Sequence, residues 1–481
     1  MSLEQIKSDR EKKLAALKAA GAEPYPIKTG ERQTIGSILV DFEKLESGKE
    51  KVSAAGRLRA LRKHGGSAFA DLEDETGKIQ LLFKKDELGE AYDNFSDLFD
   101  TGDFLRVEGI VFKTQKGEKT MQISSFDILA KALNQLPEKW HGLKDVEERY
   151  RRRYLDILMN SEVKERFKER GRILNGLREF LANEGFLEVE TPVLQPLPGG
   201  ALAKPFKTHL NALDMDLYLR VSPELYLKRL LVGGFEKVYE MGRCFRNEGM
   251  DKSHNPDFTI LEFYWAFADE EMLMELTEKM FGFLAPKKEI EYQGQKINLA
   301  APFKRIKMRD LLKDEFGVDI FEASPEKLEE TIEKAGGQAE KGARKCKLID
   351  ELFKILRPKI IQPTFVTGHP IRMSPLAKAV KENPKETARF QLLCGGMEMV
   401  NAYAELNDPR EQEKRMKQQE EKRDDDEIQR FDQDYIEALE YGMPPAAGFG
   451  LGVDRLVMLL TDASNVREVI IFPAMRAQAR D

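Results

Sequence analysis

At 481 residues the chain is too long for one ordinary hydrophobic core, so two or more domains are expected. Its content of 41% hydrophobic and 33% charged residues fits a soluble globular protein, and no apolar run approaches the roughly 18 residues of a membrane span. A formal net charge of −7 excludes whole-protein attraction to nucleic acid, although phosphate answers to local basic patches and those stay open.

The N-terminus, MSLEQIKSDREKKLAALKAAG, lacks the apolar centre of a signal peptide. It reads as a solvated amphipathic helix ended by Gly21, Pro24 and Pro26, within a helical segment over residues 1–50. Residues 51–133 read as a small all-β unit. Short runs of β-formers at 52–61, 68–72, 79–83, 104–112 and 120–128 alternate with turn signals, and 86–99 reads as a helix. Five strands with a helix after the third is the pattern of an OB-fold barrel, whereas a β-sandwich fragment would need more strands.

A linker over 134–160 carries Pro137, Trp140 and the run RYRRRY (149–154). Two readings stand: contact with an RNA backbone, or a helix start whose arginines pair with Glu147, Glu148 and Asp156. Residues 161–481 are mixed α and β. A helix over 162–183 ends at Glu184-Gly185 and feeds a strand over 186–194, closed by Pro192 and the turn at 196–200. A helical insertion is expected at about 325–358 and a charged helical excursion at about 409–430.

Four stretches carry polar groups that ordinary folding does not explain. Alternating runs at 237–246 and 257–267 predict an antiparallel hairpin, yet Arg246, Glu248, His254 and Glu262 sit in or beside it. Charges beside buried surface need partners, and in a cleft the partner is often a ligand. Glu224 opens a helix after Ser222-Pro223. Glu398, Asn401, Tyr403 and Glu405 fall among apolar residues in a second hairpin around Gly395-Gly396. In AAGFGLGVDRLVMLL (446–460), a glycine-rich strand enters an apolar helix with Arg455 near its start. GFGLG is neither a P-loop nor a Rossmann turn, and its glycines by themselves point only to close packing. Arg246 and Arg455 are suited to clamp a triphosphate without a P-loop. Glu398 and Glu405 are then candidates to hold Mg²⁺, and Glu224 and Glu262 suit a cationic substrate.

These residues lie in motifs that resemble the class II aminoacyl-tRNA synthetases, and among them the lysyl-tRNA synthetases of bacterial type. TPVLQPLPGGALAKPFKTH (191–209) resembles the first class motif, with Pro192 as its dimer-interface proline. FRNEG, HNPDFT and EFYWAFAD resemble the second, and GFGLGVDRLVML the third. SPELYLKRLLVGGFEKVYE, HPIRMSPLAK (369–378) and NAYAELNDP (401–409) are particular to the lysine enzymes.

The resemblance implies an α+β protein, with an N-terminal OB-fold barrel and a C-terminal class II domain built on an antiparallel sheet flanked by helices. It implies a homodimer that activates L-lysine with ATP and Mg²⁺ and transfers it to tRNA(Lys); the isolated Cys244, Cys346 and Cys394, with no CxxC pair, point to a reducing cytoplasm. Arg246 and Arg455 would be catalytic. Glu248, His254, Asn255, Phe258 and Glu398 would join them in binding ATP. Gly200, Glu224, Arg246, Glu262, Tyr264, Asn401, Tyr403 and Glu405 would bind lysine, and Arg62, Phe69 and Gln80 the anticodon. Phe69 has a plainer reading as a buried barrel residue. Glu398 would ligate Mg²⁺, but Gln391 stands where many lysine enzymes have a second carboxylate, and Met397 where some relatives have arginine. The competing functions are a paralogue that lysylates a protein side chain and an inactive RNA-binding regulator. The barrel weighs against the first, and Arg246, Arg455 and the carboxylates against the second.

Overall fold

The computed structural model describes residues 2–137, 145–201, 203–420 and 431–477, in two units spanning 1–144 and 145–481. In the first unit, Ser2 and Gln5 each accept the other's backbone N–H, a capping box that starts α1 (Leu3–Ala19). Strands β1 (Lys51–His64), β2 (Ser67–Glu73), β3 (Lys78–Lys84), β4 (Phe104–Lys113) and β5 (Lys119–Ala130) close into a barrel in the order β1-β2-β3-β5-β4. Helix α2 (Glu90–Leu98) follows the third strand, so the OB-fold expectation holds. Alternation does the sorting: β2 sends Ala68, Ala70 and Leu72 inward and Phe69 and Asp71 outward. Phe83 stacks on Phe95 with ring centroids 3.8 Å apart, and Phe126 meets Phe95 edge-on. The register between β4 and β5 slips at Gly109, where a Cβ would overlap the Gln122 carbonyl, and such a bulge bends a strand into a barrel.

The second unit is built on an eight-stranded sheet. Its strands are β6 (Leu187–Glu188), β7 (Lys237–Phe245), β8 (Asp257–Ala266), β9 (Lys304–Lys307), β10 (Thr364–Pro370), β11 (Glu386–Cys394), β12 (Met397–Ala404) and β13 (Ala446–Gly452). Their order is β9-β10-β11-β12-β13-β8-β7-β6, antiparallel except where β9 meets β10 and β6 meets β7. One face packs on α3 (Ser161–Asn183), α5 (Glu270–Leu284) and α6 (Val453–Leu460) through Leu177, Phe281, Leu456 and their neighbours; α4 (Glu224–Val232) lies in a separate apolar cluster. Phe263 and Phe449 stack across β8 and β13 at 4.4 Å. The alternation that sends Leu261 and Phe263 into this core turns Glu262 and Tyr264 to the other face.

The single strand expected over 186–194 is not formed. Only Leu187–Glu188 joins the main sheet, and Leu194–Gln195 pairs in a separate three-stranded sheet. Pro192 has no N–H to give a ladder, and the Thr191 N–H and hydroxyl both donate to Glu240 Oε2 instead. In the arginine run, Arg149 and Arg153 pair with Asp156 at 2.8 and 2.7 Å, Arg151 with Glu147 and Arg152 with Glu148. The paired reading therefore describes these residues. Trp140 lies outside the described residues, as do 421–430 of the charged excursion, of which Pro409–Glu420 is helical. Within 325–358 lie the helices Pro325–Lys334 and Lys345–Leu356, over an apolar cluster that also takes in Met308, Leu312, Val366 of β10 and Leu393 of β11.

Candidate active site

The polar face of the main sheet floors a cleft of about 400 Å³. Registry explains the glycines of β13. Gly450 pairs with both Glu262 and Asn401, and Gly448 with both Tyr264 and Tyr403, while Ala447, Phe449 and Leu451 turn into the core. GFGLG is thus a strand floor with no side chains on its cleft face. At Gly448 a Cβ would overlap both Glu405 Oε1 and the Tyr264 ring, so any other residue there must displace those side chains. Gly200, in the left-handed region at φ +86°, lies against Ser222 and Glu224 at the same end.

That end is acidic. Glu262 accepts from Ser222 Oγ at 2.8 Å and from the Tyr264 hydroxyl at 3.2 Å. Burial, then the charge of Glu224, pushes its carboxyl up to about 8, against the pull of those hydrogen bonds and Arg246. Glu224 accepts from the Tyr403 hydroxyl at 2.7 Å and is bonded by Lys228. Glu405, 1% exposed, stands 2.6 Å from Lys228 Nζ through Oε2. Burial pushes it up to about 8 as well; Lys228 opposes the shift and Glu224 and Glu262 add to it.

The other end is basic. Arg246, just past β7, lies over the Phe258 ring at 4.9 Å, and its buried Nε has no hydrogen-bond partner. Arg455 donates to the Glu398 carbonyl at 2.9 Å and stands 3.0 Å from His254 Nε2. A guanidinium only donates, so His254 Nε2 accepts and its Nδ1–H donates to Asp251, 2.8 Å away. Asn255 donates to the Asp257 carbonyl at 2.7 Å and leaves its buried Oδ1 unpartnered. Glu248 is exposed and accepts the Lys204 N–H at 3.3 Å. Burial would raise the Glu398 carboxyl, but Arg357, Arg455 and Arg389 outweigh it and hold it below the usual carboxylate range. Asn401 accepts from Arg389, which also donates to the Met373 carbonyl and Ser374 Oγ and so ties the 373–377 segment over the cleft.

Of the expected catalytic, ATP and lysine residues, all but Glu405 line this one cleft, and Glu405 lies just behind it. Gln391 also lies outside the lining, 5% exposed, with its Oε1 3.0 Å from His369 Nε2. Burial pushes His369 down to about 3, so the ring is neutral. Ser222, Lys228, Arg357 and Arg389 were not anticipated. One signal was available for Lys228: on α4, Glu224, Leu227, Lys228 and Leu231 follow the helical period and form one buried stripe. Among the described residues no three His, Cys, Asp or Glu side chains converge as a metal-binding group. Glu398 nonetheless fits an ion carried by phosphates, since Mg²⁺ commonly takes one protein carboxylate and fills its shell with phosphate and water.

In the barrel unit, Arg62 pairs with Phe69 and Phe69 with Leu82 across adjacent strands. Phe69 is half-buried on the outer face rather than in the core. Arg62 lies 3.7 Å from Asp71, and Gln80, 8% exposed, accepts from Thr120 Oγ1 at 2.9 Å.

A sheet floor with an arginine end and a carboxylate end, and no P-loop, is the arrangement of a class II synthetase. The family model for tRNA synthetases class II (D, K and N) matches residues 145–476, and that for the OB-fold nucleic acid binding domain matches 52–129. The lysine–tRNA ligase of Carboxydothermus hydrogenoformans is 51% identical over 98% of this chain and 98% of its own. Those of Pelotomaculum thermopropionicum and Fervidobacterium nodosum are 49% and 46% identical, over 98% and 99% of this chain and 95% of each relative. The chain belongs to the class II tRNA synthetases and, within them, to the lysine–tRNA ligase family.

Proposed function

We propose that this protein activates L-lysine with ATP, giving lysyl-adenylate and pyrophosphate, and then transfers lysine to the 3′ end of tRNA(Lys). The observation that carries the reading is the polarity of one cleft: carboxylates at one end and two arginines at the other, spaced by a glycine floor. Glu405, Glu262 and Tyr264 would receive the side-chain ammonium, with Asn401 and Tyr403 beside them. Glu224 and the Gly200 backbone would receive the α-ammonium. Phe258 would stack adenine against Arg455, Glu248 would meet its amino group, and His254 and Asn255 would lie by the phosphates and ring.

No general base is required, because the lysine carboxylate is itself the nucleophile. Its oxygen bonds to the α-phosphorus as the bond to pyrophosphate breaks. Arg246 would neutralise charge gathering on the α-phosphate, and Arg455 charge on the departing pyrophosphate. The tRNA hydroxyl oxygen then bonds to the acyl carbon as the bond to AMP breaks, and its proton leaves with AMP or to solvent. Glu398, with the Gln391 amide oxygen as a weaker second donor, would hold Mg²⁺, which when bound offsets phosphate charge.

For the tRNA, Phe69 would stack an unpaired anticodon base, with Arg62 and Gln80 beside it. Exposed Leu187, Val193 and Leu194 around Pro192 support a homodimer through this segment. Three free cysteines suit the cytoplasm. Among the described residues no helix is long and apolar enough to cross a membrane. ATP–pyrophosphate exchange tested against each amino acid decides the central reading. Exchange stimulated by lysine alone is expected, and exchange that is absent or indifferent to lysine would sink it.

A further inference from the structure

Lys228 follows Glu224 by one turn of α4 and is 0% exposed. Its ammonium pairs with both Glu224 and Glu405, with the Tyr403 and Tyr264 ring centroids 5.4 and 5.7 Å away. It lies behind the cleft lining, of which Glu224, Tyr264 and Tyr403 are part. Lys228 forms an ion pair with Oε2 of Glu405; neither buried oxygen of that carboxyl has a hydrogen-bond partner of fitting geometry, and Oε1 sits where a Cβ on Gly448 would be. Since Gly448 lines the cleft, an ammonium lying over that glycine reaches Oε1 directly.

We propose that Lys228 is a positioning residue that sets the charge, and with it the amino-acid selectivity, of the acidic end. It cancels one of the three buried carboxylates, Glu224, Glu262 and Glu405, and holds two of them by one oxygen each. Two negative charges are left, the number that one α-ammonium and one side-chain ammonium neutralise. An amino acid with a single ammonium leaves one of these carboxyls to be kept neutral by a proton and forgoes the second buried ion pair. This inference rests on the lysine reading of the cleft.

Before lysine binds, three carboxylates face the one cation behind them, Lys228, with Arg246 acting on Glu262 from the basic end, and Glu262 and Glu405 are each pushed up to about 8. The other titratable groups around them, Cys244 on β7, Tyr264 on β8, Tyr403 on β12 and Tyr435 on the helix Gln433–Glu440, are all raised and remain neutral. At neutral pH, protons therefore occupy the carboxylates that the ligand's ammonium groups neutralise, and they pass to solvent when lysine binds.

Calorimetry of L-lysine binding to the full chain, in buffers of different ionisation enthalpy, tests this. About one to two protons should be released per lysine at pH 7, and the release should fall as pH rises toward 9, where the carboxylates are already ionised and the ligand's own ammonium groups begin to titrate. Lys228→Met should weaken lysine binding by roughly ten-fold or more at pH 7, with a larger proton release and a deficit that narrows toward high pH, while ATP affinity stays put. Lys228→Gln serves if the methionine variant does not fold. Lysine binding by the wild type with no proton linkage at pH 7 overturns the charge assignment without any variant. So does a folded Lys228 variant with wild-type affinity and proton count. Glu405→Gln separates the two levels: if it binds lysine normally, the lysine reading of the cleft has failed. If it loses lysine while the Lys228 variants behave as wild type, only the role of Lys228 has.

Discussion

Strand β2 of the barrel buries Ala68, Ala70 and Leu72 on one face and gives Phe69 and Asp71 to the outside, whereas β8 of the catalytic sheet buries both of its faces. One face of β8 carries Leu261 and Phe263 into the core, and the other carries Glu262 and Tyr264 to a cleft floor where they are 5% and 3% exposed. The same period of two therefore yields two kinds of surface. On the outer face of β2 the charged groups keep contact with water, and pairs such as Arg62 with Asp71 contribute little individually. On the cleft floor, each charge is desolvated and depends on its neighbours, so substitutions there should have large and coupled effects.

That contrast is open to measurement. The largest effect is expected at the basic end: Arg246→Ala should lower lysine-dependent pyrophosphate exchange by about 10²–10³ or more, the usual loss for a group that meets transition-state charge. Exchange within a few-fold of wild type would remove the distinction between the two surfaces. Gly448→Ala comes next. Its methyl group would collide with Glu405 Oε1 and Tyr264, so KM for lysine should rise by roughly ten-fold while KM for ATP changes little. Equal changes in both constants would mean that the floor acts on the cleft as a whole rather than on its acidic end.

Phe69→Ala should be milder. Loss of one stacked base costs about 1–3 kcal/mol, felt in tRNA charging, with exchange and folding nearly untouched because the ring is outside the core. Normal charging kinetics would leave Phe69 without a part in tRNA binding. The smallest effect is on stability. Glu262 and Glu405 are pushed up to about 8, far above a carboxyl in the unfolded chain. The native state therefore holds protons that the unfolded state has released, and the stability they contribute is lost as pH rises from the ordinary carboxylate range through about 8. The melting temperature without ligand should fall by a few degrees between pH 6 and pH 9, and saturating lysine should raise it more at pH 9 than at pH 6. A flat profile would show that these carboxylates are less desolvated than their burial indicates.

Much of this was legible without coordinates. The hairpin runs at 237–246 and 257–267 became β7 and β8 to within a residue, because period-two burial is written directly in the residue order. The five barrel strands and the helix after the third were legible for the same reason. The strand expected over 186–194 was not, because apolar content resembles a strand whether or not its N–H groups find a ladder. Thr191 gave its N–H to Glu240, a residue distant in sequence. The glycines of GFGLG were visible but not their purpose, which depends on Glu262, Asn401, Tyr264 and Tyr403 flanking them from two other strands.

The sequence by itself determined which face of each element a side chain occupies and which elements carry unexplained charge, since both follow from local periodicity and residue chemistry. Arg246, Glu262, Glu405 and Arg455 stood out on that ground alone. The tertiary structure decided which charges meet. In sequence Lys228 shares a helical stripe with Glu224 but shows no partner beyond it; it is a buried counter-cation because α4 packs against β7 and β8, and Glu405, just past β12, comes to 2.6 Å. The strength of an interaction between charges depends on distance and on the water removed around them, and both quantities exist only once separate elements have packed together.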